Sequence, residues 1–238
     1  RAQLLANEMT QVIERALRGS RAVDTETLCI LSGVKVWSVR CDLHVLDHCG
    51  NAVDACHLAT LAALMHFRQP ATTVVGESVQ IHSAEEHEPV PLSIHHLPLC
   101  VTFGFLEPES PAANQQDWYI LVDPTRTEEA VVSGTMTVAM NVHDEVCCLH
   151  KAGGTPVDVQ TIRQCLRVAS QKVKDIHEFV QRALEADRSQ RAERKRQAML
   201  RRIHGPEGKP TAIGAVGQDA EGRQTGVDRQ DIVEEMDD

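Results

Sequence analysis

Between Leu99 and His150 the chain carries four short runs, "LCVTFGF", "WYILVD", "TMTVAM" and "EVCCLH". Each is rich in β-branched, aromatic or sulfur-bearing side chains and reads as a strand. After "KAGGTPVD" the period changes, and Ile162, Cys165, Leu166, Ala169, Val173, Ile176, Val180 and Leu184 recur at spacings of three and four. That is a long helix with one apolar face, long enough to cover the sheet before it. The polar stretch "LEPESPAANQQD" reads as the hairpin loop between the first two strands. One block of the chain is thus a sheet followed by its covering helix.

The first half repeats that order. "RAQLLANEMTQVIERAL" puts Leu5, Met9, Val12, Ile13 and Ala16 on one stripe of a helix. No N-cap residue precedes it, so the chain is expected to be a fragment. "VWSVRCDLHV" alternates with period two, and Trp37, Val39, Cys41, Leu43 and Val45 form the apolar face of a predicted half-buried strand. The turn residues "HCGN" follow, with Gly50 and Asn51 able to take positive φ, and Asp54 is the expected N-cap of "ACHLATLAALMHF". In that helix Ala55, Leu58, Ala59, Ala62 and Met65 make the expected buried stripe. The Pro- and acid-rich "RQPATTVVGESVQIHSAEEHEPVPL" reads as a linker or domain edge, and His95–His96 as a polar edge leading into the second sheet. The expectation is two α+β units, residues 1–83 and 84–187, then a charged, largely disordered tail over 188–238.

Composition narrows the function. Aromatics reach only 3%, so the core must rely on Leu, Val, Ile and Ala. The net charge of −10 gives the surface as a whole no attraction for nucleic acid, and any RNA contact has to be local. No apolar run approaches the roughly 20 residues that cross a bilayer. The eight cysteines form no Cys-x-x-Cys pair and read as reduced, largely buried thiols of an intracellular protein. Residues 186–204 hold seven Lys or Arg against two acidic residues, whereas 205–238 hold three against nine. The basic stretch fits a solvated helix extension, a nuclear-import signal or an RNA-facing arm.

The stretch "DLHVLDHCGNAVDACH" is the obvious place to look for chemistry. Zinc needs ligands converging at about 2.0–2.3 Å. His44, His48, Cys49 and His57 are instead spread over a strand, a turn and a helix. An ordinary strand–turn–helix with solvated polar residues is the reading the spacing favours over a metal hydrolase.

"ERALRGSRAVDTETLCI", "VWSVRCDLHVLDHCGNAVDA", "VPLSIHHLPLCVTFGF" and "VDPTRTEEAVVSGTMTVAMN" closely resemble the RNase PH-like ring subunits of the eukaryotic RNA exosome. The resemblance runs from about residue 1 to about 187 and is absent from the tail. It implies an α+β, RNase PH-like fold of two packed sheet-and-helix domains, the first lacking its N-terminal strands. It also implies a six-membered ring around a channel, made with other RNase PH-like subunits and S1/KH cap subunits. Single-stranded RNA and an associated hydrolytic exoribonuclease are the further partners implied. Nucleus, nucleolus and cytoplasm are the implied locations, and no cofactor or membrane is implied.

Active members hold phosphate with a loop arginine and assist the leaving group with an aspartate. By register those positions carry Ala52 and Thr135, neither of which can do the work. The resemblance therefore implies a non-catalytic scaffold that guides RNA 3′ ends for 3′–5′ processing and decay. An active phosphate-dependent exoribonuclease is the alternative. Glu128 and Glu129 follow the "VDPT" turn and are expected to serve structure. Arg15, Arg18 and Arg21, at spacings of three, are the candidate RNA contacts, or helix-end and interface ion pairs.

Overall fold

The computed structural model describes residues 2–84, 86–108 and 118–204. Residues 109–117 of the expected hairpin loop and the acidic tail, 205–238, lie outside the described residues. Contacts divide the chain into two units, 1–193 and 194–238.

All four strands expected in the second block form. They are β7 (Leu99–Leu106), β8 (Tyr119–Val122), β9 (Gly134–Met140) and β10 (Val146–His150). They make one antiparallel sheet in the order β10-β9-β7-β8. β7 sits in the middle and is buried from Leu99 to Phe105, which only residues with no charge could tolerate. Leu99, Val101, Phe103 and Phe105 point to one side with Met136, Val138 and Met140 of β9. There they meet Leu61 of α2 (Ala52–His66) and Cys165, Ala169 and Val173 of α4 (Val159–His204). The alternate residues Cys100 and Ala139 pack with Ala16, just beyond α1 (Ala2–Glu14). Burying a Phe or Leu side chain contributes roughly 1.5–3 kcal/mol, so this cluster dominates the fold's stability.

The α4 periodicity holds, with Asp158 accepting from the Thr161 N–H at 2.8 Å to open the helix. α4 extends past residue 187 to His204, so the stretch 188–204 of the expected disordered tail is helical. Its i, i+3 and i, i+4 ion pairs Arg188–Glu185 and Arg191–Asp187 are of the kind that prolongs an exposed helix.

The first block departs from the alternation in its sequence. β1 (Cys29–Leu31) pairs only with β2 (Lys35–Val36), and the Trp37 N–H reaches the Leu28 carbonyl at 2.7 Å. From Ser38 to Asp47 the chain forms no strand, and Val39, Leu43, Val45 and Leu46 are exposed. A period-two pattern becomes a strand only where a neighbouring ladder takes its N–H and C=O groups, and none among the described residues does.

Three further expectations are corrected. The proposed linker is ordered, with β3 (Arg68–Gln69) pairing β6 (Val90–Pro91) and β4 (Thr72–Val75) folding onto β5 (Ser78–Ile81) as a hairpin. Gly76, at φ +62°, makes its turn in "VVGESV". The second helix buries His57, Thr60 and Leu61 and leaves Ala55 and Ala59 exposed. Ala and Leu surround this helix on all sides, so apolar spacing does not single out a face. Of the cysteines only Cys100 and Cys165 are buried, while Cys29, Cys41 and Cys49 are exposed. The latter two lie in or next to the segment that fails to pair.

Candidate functional site

The loop before α2 is fastened to the "VDPT" turn some seventy residues away. Gly50 bridges Thr125, and the Arg126 N–H donates to the Cys49 carbonyl at 2.9 Å. Gly50 has φ +123°, and a Cβ there would lie 2.6 Å from Arg126 N and Pro124 O. Only glycine fits this approach. Thr125 and Glu128 form a capping box that opens α3 (Arg126–Glu129). Glu128 is accordingly structural, and its carboxyl is held below the usual range by the Thr125 N–H and hydroxyl.

Asn51 is the hub. It caps α2 in the left-handed region, with φ 43°, so Asp54 is the third residue of the helix and not its cap. The Asn51 N–H donates to Glu129 Oε1 at 2.8 Å. Its side-chain amide donates to Asp54 Oδ2 and to Asp123 Oδ1, both at 2.7 Å, and its Oδ1 is buried without a partner. Asp54 also accepts from the Thr102 N–H and hydroxyl at 2.8 Å, and Thr102 continues to Thr137 at 2.9 Å. Burial raises the Asp54 carboxyl, and the bonds from Asn51 and Thr102 oppose that rise. A concavity of about 530 Å³ opens over this network, lined by Gly50, Asn51, Asp54, Asp123 and Lys172 with the apolar Leu58 and Ile176.

The start of α2 is the place where a helix offers free N–H groups to an anion. Here a carboxylate of the chain itself, Glu129, takes the Asn51 N–H, and Asp54 lies in the first turn. Ala52 brings no charge to this loop. Thr135 pairs across β9 with Gly104 of β7 and lines neither this concavity nor the neighbouring one around Leu43–Ala59. Neither of these two concavities brings Ala52 and Thr135 together. Asn51, Asp54, Asp123 and Glu129 as a connected set were not foreseen from sequence. The pairing of "GN" before a helix with the "VDPT" turn is the signal that held them.

The residues of the metal alternative are also dispersed. His57 is wholly buried, with Nε2 2.6 Å from the Pro98 carbonyl, and burial lowers its pKa. It is no solvated residue, contrary to expectation. His44 is exposed, and His48 lies 4.0 Å from Glu129. Among the described residues no three such side chains are placed to share an ion.

The arginines divide. Arg18 pairs with Glu14, and Arg18 and Arg21 line a second concavity with Asp24, Glu26 and His95. Arg21 sits at φ +55°, a left-handed conformation that turns the chain out of the helical segment. Arg15 lies instead near Cys148 of β10, whose thiol burial pushes up while the Arg15 guanidinium opposes that rise.

A four-stranded antiparallel sheet with α2 and α4 packed on one face makes this an α+β domain. Residues 1–70 match the 3′ exoribonuclease family, domain 1, and residues 96–172 match domain 2 of the same family. The chain belongs to this family. It is 44% identical over 186 residues to the exosome complex component RRP45 of Rattus norvegicus, covering 78% of this chain and 41% of that protein. RRP45 is the 75-kDa polymyositis–scleroderma antigen, the type to which this chain's sequence is similar. The chain thus spans about two fifths of that relative. Among solved structures it resembles an archaeal exosome core, at 30% identity and TM-score 0.60, over 75% of this chain and 64% of that one. It also resembles an Archaeoglobus fulgidus exosome with RNA bound to the active site, at 32% identity and TM-score 0.57, over 72% and 60%.

Proposed function

We propose that this chain is a non-catalytic ring subunit of the RNA exosome, a scaffold that helps guide RNA 3′ ends for 3′–5′ processing and decay. The observation that carries the reading is the Glu129 carboxylate on the Asn51 N–H. A phosphorolytic enzyme needs inorganic phosphate at such a loop, and a resident carboxylate both occupies the donor and repels the anion. Asp54 and Asp123 deepen that repulsion, and residues 47–54 include no Lys or Arg. Ala52 and Thr135 stand where an active member's arginine and aspartate are expected. The partners of this reading are other RNase PH-like subunits, S1/KH cap subunits, single-stranded RNA and an associated hydrolytic exoribonuclease. Its locations are nucleus, nucleolus and cytoplasm. Arg15, Arg18 and Arg21 are its RNA contacts.

The decisive measurement is phosphate-dependent decay of a labelled single-stranded RNA by the purified chain. The expected outcome is no nucleoside diphosphate. Release that survives repurification and disappears on mutation of this chain would return the active exoribonuclease to first place.

A further inference from the structure

The Arg18–Arg21 concavity, about 640 Å³, shares one wall residue, His95, with a third concavity of about 340 Å³. Segments far apart in sequence converge on that neighbour. His95 and His96 come from the approach to β7, His143 from the β9–β10 turn, and His177 and Arg188 from α4. Residues 177 and 188 are eleven apart, which places them on one face of α4 about 16 Å from each other. A polyanion can run along a wall of that length.

Carboxylates border both clefts, with Glu14 on Arg18, Asp24 and Glu26 in the first and Asp144 near His143 in the second. Asp187 is taken by His66 and Arg191, and Asp144 by Ser170 and Lys174. Arg188 has Glu185 at 3.7 Å, both exposed, which is a weak pair. His96 uses Nε2 on the Ser20 carbonyl at 2.9 Å, and the Nδ1 atoms of His96 and His177 are buried without partners. Those two atoms are closed to solvent, so the N–H groups offered to a ligand are those of the exposed His95, His143 and Arg188. Four imidazoles suggest a metal, but among the described residues no three metal-ligating side chains are placed to share one. An anion is what remains, since imidazole and guanidinium N–H groups both donate to phosphate oxygens.

We propose that the histidine-lined cleft continues the Arg18–Arg21 cleft as one track for the phosphates of single-stranded RNA. The proposal rests on the RNA-guiding reading above and adds a location to it. The chain assembled with its co-purifying ring subunits is titrated with a labelled homopolymeric RNA over a range of salt, using fluorescence anisotropy. The H143Q/R188Q variant changes two exposed side chains and leaves the core intact, with its thermal midpoint as control. It should weaken binding roughly 3–10-fold and lower the log–log salt slope by about 1, given ~0.7 per phosphate of a single strand. Unchanged affinity and slope in H143Q/R188Q, with loss in R18A/R21A, would overturn the histidine track and leave the RNA reading standing. No binding by the unmutated assembly would remove both. Competition by polyglutamate as strong as by RNA would assign the cleft to an acidic protein segment and also overturn the proposal.

Discussion

The sheet of β7–β10 and the stretch between Ala22 and Gly50 are both rich in apolar side chains but meet opposite fates. Phe103 and Val138 of the sheet and Cys165 of α4 are closed off completely, because every strand has a neighbour and α4 lies over one face. In the other stretch, Val39, Val45 and Leu46 point into solvent beside a two-stranded scrap of ladder. Apolar alternation is thus an offer of burial, and the neighbour decides whether it is taken up. The two regions meet where the Cys49–Asn51 loop is tied to Asp123–Glu129.

The largest test of the contrast is a pair of truncations. Phe103→Ala should cost about 3–5 kcal/mol, since its packed surroundings cannot close over the cavity. Leu46→Ala, at a residue 97% exposed, should stay within about 0.5 kcal/mol. Pulse proteolysis in urea on the full chain measures both, and similar costs at the two sites would break the distinction.

That contrast also explains what could be read in advance. The second block and α4 were legible because each element's pattern agrees with its partner's, as where Leu99, Val101 and Phe103 face Met140, Val138 and Met136. Helix α2 was misread because Ala and Leu surround it, and its orientation is set by Asp54 on Thr102 and His57 on Pro98, contacts with partners more than forty residues away. The strand expected at 37–45 failed because strand pairing is not local. The candidate site was half legible. "GN" announced a positive-φ turn, and Gly50 and Asn51 adopt one, but no local pattern says that Glu129 will accept the Asn51 N–H.

Asp54 is the strongest tie between the regions. Asp54→Ala strips acceptors from the Thr102 N–H, the Thr102 hydroxyl and the Asn51 amide together. Leaving such donors buried costs about 1–3 kcal/mol each at most, and relaxation toward the adjacent concavity makes about 2–4 kcal/mol the expected total. Asp54→Asn should recover part of it, because its carbonyl still accepts the Thr102 N–H. A loss under 1 kcal/mol would show that the loop holds without this carboxylate.

His57 makes the tie sensitive to acid. Burial lowers its pKa below the unfolded 6.5, so the unfolded chain binds a proton that the folded chain refuses. Its contribution is therefore full above pH 6.5 and is lost as pH falls below it, at up to about 1.4 kcal/mol per pH unit. The difference in stability between the parent and His57→Gln should shrink from pH 7 to pH 5.5 along that slope. A difference independent of pH would mean that His57 takes up its proton as readily inside the fold as in the unfolded chain, against its burial and its unpartnered Nδ1.

The smallest effect separates charge from hydrogen bonding at Glu129. Glu129→Gln keeps an oxygen for the Asn51 N–H and removes only the charge near the start of α2. A charge at a helix N-terminus contributes about 0.3–1 kcal/mol, screened by salt, so the loss should be of that size and fade toward 1 M NaCl. Glu129→Ala removes the acceptor as well and should cost about 1 kcal/mol more, with that extra part indifferent to salt. The pair of variants also bears on why the loop repels phosphate. If the resident carboxylate is the cause, Glu129→Gln should bind inorganic phosphate no worse than the parent and Glu129→Ala better, because only the alanine frees the Asn51 N–H. Phosphate binding equal in all three would place the repulsion on Asp54 and Asp123 instead, which border the same concavity.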